Sequence, residues 1–420
     1  MDDNKKKIKL LIIGIIMNLG GTEKSFLSFA SQLDYDRYDV DLLLARKEGA
    51  LLEEIPPQIH VIELPDSQYA DMFLMSGQNA ARTLWNCFVR RNPLIGFEIL
   101  PYFLKILFAP SKRSHTATRL WCRLLRHFSV LNKEYDVAAA YWGDRTMFYM
   151  IDKVKAGKKI AWLHFEYGNP PRDDALYLKY FSRCDQVVTV SEKVNQSLKQ
   201  HFPTVAEKCV TIENINDPRL IWDRALKGES FPDAKFTGKR ILTIARISEQ
   251  KGLDFVVGAL KKLREDGYNI RWYVVGGGDE DDVKRLKAMA VDEGVADMLI
   301  LLGPTQNPYG YMRDCDIYAQ PSRYEGKPIT VEEAKMMFRP IVASNYVSAS
   351  EQLCGDEPHG GSISIGRYGV ITEIGVDGTY LGVRRLLDDE DLCDSLTMEL
   401  SRGHFGNETE IEKFYRMAES

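Results

Sequence analysis

Short apolar runs alternate with longer stretches whose apolar residues repeat at helical spacing, and this alternation continues through most of the chain. In the first half the runs are KIKLLIIGII, DVDLLLA, DVAAAYW, KIAWLHF and QVVTVS; in the second they are RILTIA, RWYVVG, MLILLG, DIYAQP and PIVAS. Between the first two lies SFLSFASQL, in which Phe26, Leu27, Ala30 and Leu33 share one helical face. Apolar strands interleaved with helices of about ten residues or more predict parallel sheets covered on both faces. The rhythm breaks over 214–239, NINDPRLIWDRALKGESFPDAKFTGK, whose Pro, Gly, Asp and Lys predict a linker. The fold class expected is α/β, with two Rossmann-like domains facing a cleft, at 1–215 and 216–405, and a last helix within 406–420. Ligands of such sheets bind at the carboxyl ends of the strands.

Composition narrows the class. With 420 residues, 45% hydrophobic and 27% charged, the chain is long enough for two cores. A net charge of −5 gives no general nucleic-acid signal. Seven cysteines are scattered without a Cys-x-x-Cys pair, which suits a reducing compartment and predicts a cytoplasmic protein. Lys5-Lys6-Lys7 before LLIIGIIM imitates a signal peptide, but Asn18-Leu19-Gly20-Gly21-Thr22-Glu23 follows where a cleavage site would stand. A buried strand ending in a glycine turn is expected instead. No run approaches the roughly 20 apolar residues that span a bilayer.

The candidate chemistry centres on EGKPITVEE, which follows the run DIYAQPSRY. Seven residues separate Glu325 from Glu333, and Val331, Ala334 and Phe338 repeat at helical spacing. The first carboxylate then sits in a loop and the second on the helix that the loop opens. Thr330 stands three residues before Glu333, so a capping box is the plain alternative for the latter. Arg246 and Lys251 flank the loop after RILTIA, and Gly252 opens GLDFVVGALKKL. A guanidinium fork and an ammonium beside a helix start suit a diphosphate; two solvated surface cations are the alternative.

With Glu333-Ala334 and Arg339-Pro340-Ile341-Val342-Ala343-Ser344 after it, this stretch resembles the donor-binding signature of retaining glycosyltransferases of the GT-B fold, in particular the large family 4, of the kind used in bacterial surface polysaccharide assembly. RISEQKG resembles the element with which that family binds the donor diphosphate. The resemblance implies that Glu325 reads the sugar and Glu333 the ribose, with Gly326 and the amides of Lys327 and Ile329 beside the donor. Many members have Phe-Gly where this chain has Lys327-Pro328, and proline has no amide to offer. Gly20-Gly21 resembles the family's Gly-Gly-x-Glu turn near the leaving phosphate, and His164, in WLHFE, its sugar-contacting histidine; a bare turn and a structural histidine are the alternatives. Glu166 is a lesser candidate. Thr305 and Asn307 lie in GPTQNPY, which resembles the segment that holds the nucleobase through main-chain groups; a Pro-rich turn is the alternative. Gly276-Gly277-Gly278 is expected only to relieve crowding. The last helix crosses back to the first domain in the family.

The reaction implied is transfer of a hexose-type sugar from a nucleoside diphosphate sugar, UDP favoured over GDP, with retention by a front-face route. No cofactor and no metal are expected, because Arg246 and Lys251 carry the neutralising role. Asp34-Tyr-Asp36, Asp39-Val-Asp41 and Asp314-Cys-Asp316 are discounted as metal motifs. Over 66–133, Arg82, Arg90, Arg91, Lys105, Lys112, Arg113, Arg119, Arg123, Arg126 and Lys133 face only Asp66, Asp71 and Glu98, with large apolar residues interleaved. That mixture suits an anionic membrane surface, the inner face of the cell membrane, and a lipid-linked saccharide acceptor; helices packed on the first sheet are the alternative. Two further readings remain open, a GT-B-fold sugar-nucleotide epimerase and a non-catalytic partner subunit.

Overall fold

The computed structural model describes residues 6–75, 79–108 and 113–420. In chain order the elements through residue 211 are β1 (Ile8–Ile13), α1 (Gly21–Ser31), β2 (Tyr38–Leu44), β3 (His60–Glu63), α2 (Ala80–Leu84), α3 (Ile95–Phe108), α4 (Arg113–Leu124), β4 (Glu134–Ala140), α5 (Asp144–Lys153), β5 (Lys155–Leu163), α6 (Asp174–Phe181), β6 (Gln186–Thr189), α7 (Glu192–His201) and β7 (Cys209–Thr211). The remainder are α8 (Pro218–Lys227), β8 (Lys239–Ile244), α9 (Leu253–Glu265), β9 (Ile270–Val275), α10 (Glu280–Asp292), β10 (Leu299–Gly303), α11 (Tyr309–Asp314), β11 (Ile317–Gln320), α12 (Ile329–Met336), β12 (Ile341–Ser344), α13 (Ala349–Leu353), β13 (Ile363–Gly366), β14 (Gly369–Thr372), α14 (Val376–Asp388), α15 (Glu390–Arg402) and α16 (Ile411–Glu419). They form two compact units. One comprises the chain through Val190, Asn195–Glu213 and Ile411–Ser420; the other comprises Ser191–Val194 and Asn214–Glu410.

The first unit holds a seven-stranded sheet in the order β3-β2-β1-β4-β5-β6-β7, parallel throughout. Its central strands are apolar on both faces, as a sheet covered by helices on both sides requires: Leu10 to Ile13 and Ala138 to Ala140 are buried. The run LLII that follows the N-terminal lysines is therefore strand β1; Lys5 lies outside the described residues. Helix α16 packs in this unit, with Phe414 edge-on to Phe29 at 5.0 Å and Tyr415 stacked on Tyr38 at 5.5 Å. The second unit holds another seven-stranded sheet, β10-β9-β8-β11-β12-β14-β13. It is parallel except for the antiparallel pair β13 and β14. Each unit is a Rossmann-like α/β domain.

Two sequence expectations need correction here. The segment 214–239 is not an irregular linker, because α8 forms within it. Asp217 accepts from the amides of Arg219 and Leu220, Pro218 occupies the first helical position, and Ile221 and Ala225 are buried. Residues read as breakers are here a helix start. The helix expected to reach Phe338 ends at Met336; Phe338 takes φ 55° and packs on Trp222 at 5.7 Å.

Candidate active site

In the second sheet β8 pairs with β9 on one side and β11 on the other, so chain order reverses between β8 and β11. Loops leaving the carboxyl ends of two such strands diverge and leave a crevice, the usual ligand position in open α/β sheets. Arg246, Lys251 and Gly252 lie on the loop after β8; Glu325 lies on the loop after β11. The two loops are stitched together. Arg323 donates from its amide to the Gln250 carbonyl at 2.8 Å, and Gln250 Nε2 donates to the Tyr324 carbonyl at 3.0 Å. Arg323 also forks onto Asp254 at 2.7 and 2.6 Å. Gly252 has φ 65°, and a Cβ there would lie 2.0 Å from the Pro321 carbonyl oxygen, so both conformation and contact demand glycine. Gly276 meets the same constraint one strand over, where a Cβ would lie 2.0 Å from the Ala245 carbonyl oxygen. That agrees with the crowding read from the triple glycine.

Glu325 is only 7% exposed. Its Oε1 accepts from Lys251 Nζ at 2.6 Å, Ser322 Oγ at 2.7 Å and Gln320 Nε2 at 3.0 Å. Three donors converge on one oxygen and fix the carboxylate. Gln320 is held in turn, its Oε1 accepting from Tyr318 Oη at 2.8 Å and Thr330 Oγ1 at 3.2 Å. Arg246 is exposed and makes no ion pair among the described residues. The phosphate-clamp candidates thus differ: Lys251 is neutralised by Glu325, and Arg246 carries a free positive charge.

Glu333, 2% exposed, does not form the capping box that its sequence allows. Helix α12 starts at Ile329, too early for Thr330 to cap it, and Thr330 turns to Gln320 instead. Glu333 Oε1 accepts from Tyr309 Oη at 2.6 Å, which ties α12 to the start of α11. In the loop before α11, Thr305 Oγ1 accepts from the Asn307 amide at 3.3 Å. Asn307 Oδ1 accepts from the Tyr309 amide at 3.3 Å, and Asn307 Nδ2 donates to the Arg224 carbonyl at 2.8 Å. Both side chains thus shape the loop. Gly326 is buried; Lys327 Nζ pairs with Glu351 at 3.3 Å, and the Ile329 amide opens α12, where no intrahelical acceptor exists. Next to Glu333, buried Glu332 pairs with Lys335 at 2.7 Å and accepts from Gln352 Nε2 at 2.9 Å. Burial alone would raise its pKa, but Lys335, Lys327 and Gln352 together hold it below the usual carboxylate value.

In the first unit Gly20 caps and Gly21 opens α1, at the switch between β1 and β4. Glu23 folds over Gly20, so that a Cβ on Gly20 would lie 2.2 Å from Glu23 Oε2; Gly21 stands open. His164 follows β5, against Tyr141 at 4.7 Å, and its Nε2 is buried without a hydrogen-bond partner. Burial pushes the imidazole pKa down to about 3 against a hydrogen bond to the Tyr141 backbone, so the ring is neutral. Burial likewise raises the Glu166 pKa, opposed by Arg172. The basic list over 66–133 shrinks on folding: Arg119 pairs with Asp173, Arg123 and Arg126 share Glu98, and Lys133 pairs with Asp41. Lys112 lies outside the described residues. Among the described residues no three His, Cys, Asp or Glu groups are arranged to hold a metal ion.

The sequence reading missed Gln320, Ser322 and Tyr309. The first two carried a signal, polar side chains at the carboxyl end of an apolar strand. Tyr309 ends the GPTQNPY loop, but nothing in the sequence pointed to its bond with Glu333, which only folding brings together over 24 positions.

Residues 229–397 match the family model described as Glycosyl transferases group 1. Among curated proteins, the N-acetylgalactosamine-N,N'-diacetylbacillosaminyl-diphospho-undecaprenol 4-alpha-N-acetylgalactosaminyltransferase of Campylobacter jejuni is 24% identical over 213 residues, covering 50% of this chain and 53% of that protein. The amylovoran biosynthesis glycosyltransferase AmsK of Erwinia amylovora is 30% identical over 183 residues, 42% of this chain and 43% of its own. The chain spans about half the length of the first of these relatives and of others of its kind. Among solved structures, HepE of Anabaena in complex with UDP and glucose aligns with a TM-score of 0.67 at 16% identity, over 97% of this chain and 98% of that one. TarM of S. aureus, in complex with fondaparinux, alpha-GlcNAc-glycerol and UDP, aligns with a TM-score of 0.67 at 12% identity, over 98% and 100%. The fold is the one these structures share, GT-B.

Proposed function

We propose that the chain is a retaining, metal-independent glycosyltransferase of family 4 that moves a hexose-type sugar from a nucleoside diphosphate sugar, UDP in preference to GDP, to a lipid-linked saccharide at an anionic membrane surface. The observation that carries the reading is the Lys251 and Glu325 pair, 2.6 Å apart at the switch point of the second sheet, with Arg246 uncompensated on the same loop as Lys251. As the bond to the anomeric carbon breaks, negative charge grows on the diphosphate and positive charge on the sugar ring. Arg246 and Lys251 face the first, and Glu325 the second. Lys251 bridges both partners, since an ammonium held by Glu325 keeps donors for a phosphate oxygen.

Glu333 is assigned to the ribose. A buried carboxylate on the first turns of a helix accepts well from two neighbouring hydroxyls, and the Tyr309 bond fixes its direction. His164, being neutral, is assigned a hydrogen-bonding role toward a sugar hydroxyl rather than a cationic one. At the start of α1 the Gly21 amide is the donor assigned to the leaving phosphate, since the Gly20 amide already donates to the Asn18 carbonyl at 3.0 Å. Two relatives support the acceptor class, since one is named for a diphospho-undecaprenol substrate and the other for amylovoran biosynthesis. The reading is tested by a thermal-shift screen of nucleotide sugars. A uridine diphosphate sugar should stabilise the protein most, and Lys251→Met should remove most of that shift. Equal shifts from all nucleotides, or none, would reject it.

A further inference from the structure

Helix α3 is apolar on two faces. Ile95, Ile99 and Tyr102 turn inward against the core of the first unit. On the other side Phe97, Leu100, Phe103, Leu104, Leu107 and Phe108 stand exposed, up to 75% for Phe97 and 84% for Phe108. A helix on the surface of a globular protein ordinarily puts polar residues outward, and contiguous large apolar side chains in that position mark a contact surface. The helix has 14 residues, about 21 Å at 1.5 Å each, too short to cross a hydrocarbon core of about 30 Å. That length suits a helix lying in the plane of a bilayer surface.

Charge selects the occupant. Among the described residues Arg82, Arg90, Arg91, Lys105 and Arg113, all on or near α3 in sequence, are exposed and make no ion pair, whereas Glu98 on the same helix is engaged by Arg123 and Arg126. Beside α3 lies a cavity of about 650 Å³ lined by Tyr102 of α3, by Arg119, Arg123 and Arg126, and by Lys179 of α6. Glu98 and Asp173 are the carboxylates bound to its three arginines, Lys179 has no ion pair, and the lining carboxylate Asp152 is held by Arg183. Positive charge is in excess there. The cavity is walled by helices of the first unit, apart from the strand ends that carry Gly20 and His164.

We propose that α3 lies in the surface of an anionic bilayer with its outward face among the acyl chains, and that the adjoining cavity takes the phosphate of a lipid headgroup. This deepens the reading of a membrane-bound acceptor and rests on it only for its biological sense, because vesicle binding needs neither donor nor acceptor. A planar helix flanked by cations holds the first unit at the depth where lipid-linked substrates present their polar ends. Three guanidiniums and the Lys179 ammonium, with the second lining ammonium, Lys153, turned to the Arg126 and Phe128 carbonyls, give a phosphate monoester more donors than a diester can use.

The test is flotation with three kinds of vesicle: phosphatidylcholine alone, with phosphatidylglycerol, and with phosphatidic acid. The unmodified protein should float with both anionic kinds, more with phosphatidic acid, and be released as salt rises. Leu100→Asp with Leu104→Asp should reduce binding to both by about a hundredfold or more. Arg90→Glu, Arg91→Glu and Lys105→Glu together should do so by about a hundredfold at low salt. Lys179→Glu should abolish the preference for phosphatidic acid while phosphatidylglycerol binding persists. Leu104→Trp keeps the face apolar, and its emission should be quenched by brominated acyl chains. Absence of quenching, or flotation of the Leu100→Asp, Leu104→Asp protein like its parent, would overturn the insertion. An unchanged headgroup preference in Lys179→Glu would overturn the cavity assignment. A dimer that the Leu100→Asp, Leu104→Asp substitutions dissolve would assign the face to a second copy of this chain and reject the lipid.

Discussion

Replacing Lys251 with methionine keeps the side chain's length and removes its charge, and the structure gives separate expectations for stability and catalysis. Lys251 Nζ stands 2.6 Å from Glu325 Oε1, and the carboxylate is 7% exposed. At an effective dielectric of about 20 the gross attraction at that distance is roughly 6 kcal/mol, much of it offset by the desolvation of both groups. Breaking a buried pair by removing one partner costs about 3 to 5 kcal/mol. Ser322 and Gln320 still donate to Glu325, and Lys251 is partly exposed, so about 3 kcal/mol is expected. Adding Glu325→Gln removes the orphaned charge, and stability should return to within about 1 kcal/mol of the parent. Turnover should not return. Loss of a donor aimed at developing phosphate charge lowers it by about a hundredfold or more, and the double variant lacks both groups. Urea unfolding gives the first quantity and release of nucleoside diphosphate the second. If Lys251→Met unfolds at the parent's urea concentration, or turns over at the parent's rate, the pair is an ordinary surface contact and the reasoning fails.

Three other expectations follow from the same geometry. Arg246→Ala, at an exposed and unpaired cation, should leave stability within about 0.5 kcal/mol while lowering turnover by two orders of magnitude or more; a parent-like rate would remove Arg246 from the site. Glu333→Gln and Tyr309→Phe should each weaken nucleotide binding, the first by about 1.5 to 3 kcal/mol, and calorimetry showing unchanged affinity in Glu333→Gln would reject the ribose assignment. His164 has a folded pKa of about 3, below the unfolded value near 6.5, so the unfolded chain binds the extra proton between them and stability falls as pH falls through 6.5. From pH 6.5 to pH 5 that contribution is roughly 2 kcal/mol, and His164→Phe should flatten that limb of the urea midpoints; an identical pH dependence in both proteins would show that the imidazole is solvated.

Much of the fold was legible because parallel strands buried on both faces are continuous apolar runs, and all ten such runs are strands. What escaped was short or polar. The edge strands HVIE and CVT offer no apolar run, and ISIG with GVIT is a pair set between glycines. Helix α8 was misread because Asp217-Pro218 is equally a turn signal and a helix start, and tertiary burial of Ile221 and Ala225 decides between them. At the candidate site the sequence could name Arg246, Lys251, Glu325 and Glu333 but not the bonds among them. Thr330 shows why: a capping box needs the helix to begin after the threonine, and a start at Ile329 frees both of its residues for other partners. Likewise, ten cations counted along 66–133 said nothing of Asp173 or Asp41, which reach Arg119 and Lys133 from outside that stretch.

The central claim is sugar transfer from a nucleotide to a lipid-linked acceptor by a clamp of arginine and lysine. The most direct measurement is mass analysis of membrane lipid extract incubated with the purified protein and a uridine diphosphate hexose, with and without EDTA. The account predicts a lipid-linked saccharide heavier by one hexose, an α-linkage from an α-donor, equal yield with the chelator, and no product from Lys251→Met. Consumption of the nucleotide sugar without any acceptor, with inversion at another ring carbon, would make the protein an epimerase; a product that vanishes with EDTA and returns with Mn2+ would contradict the clamp.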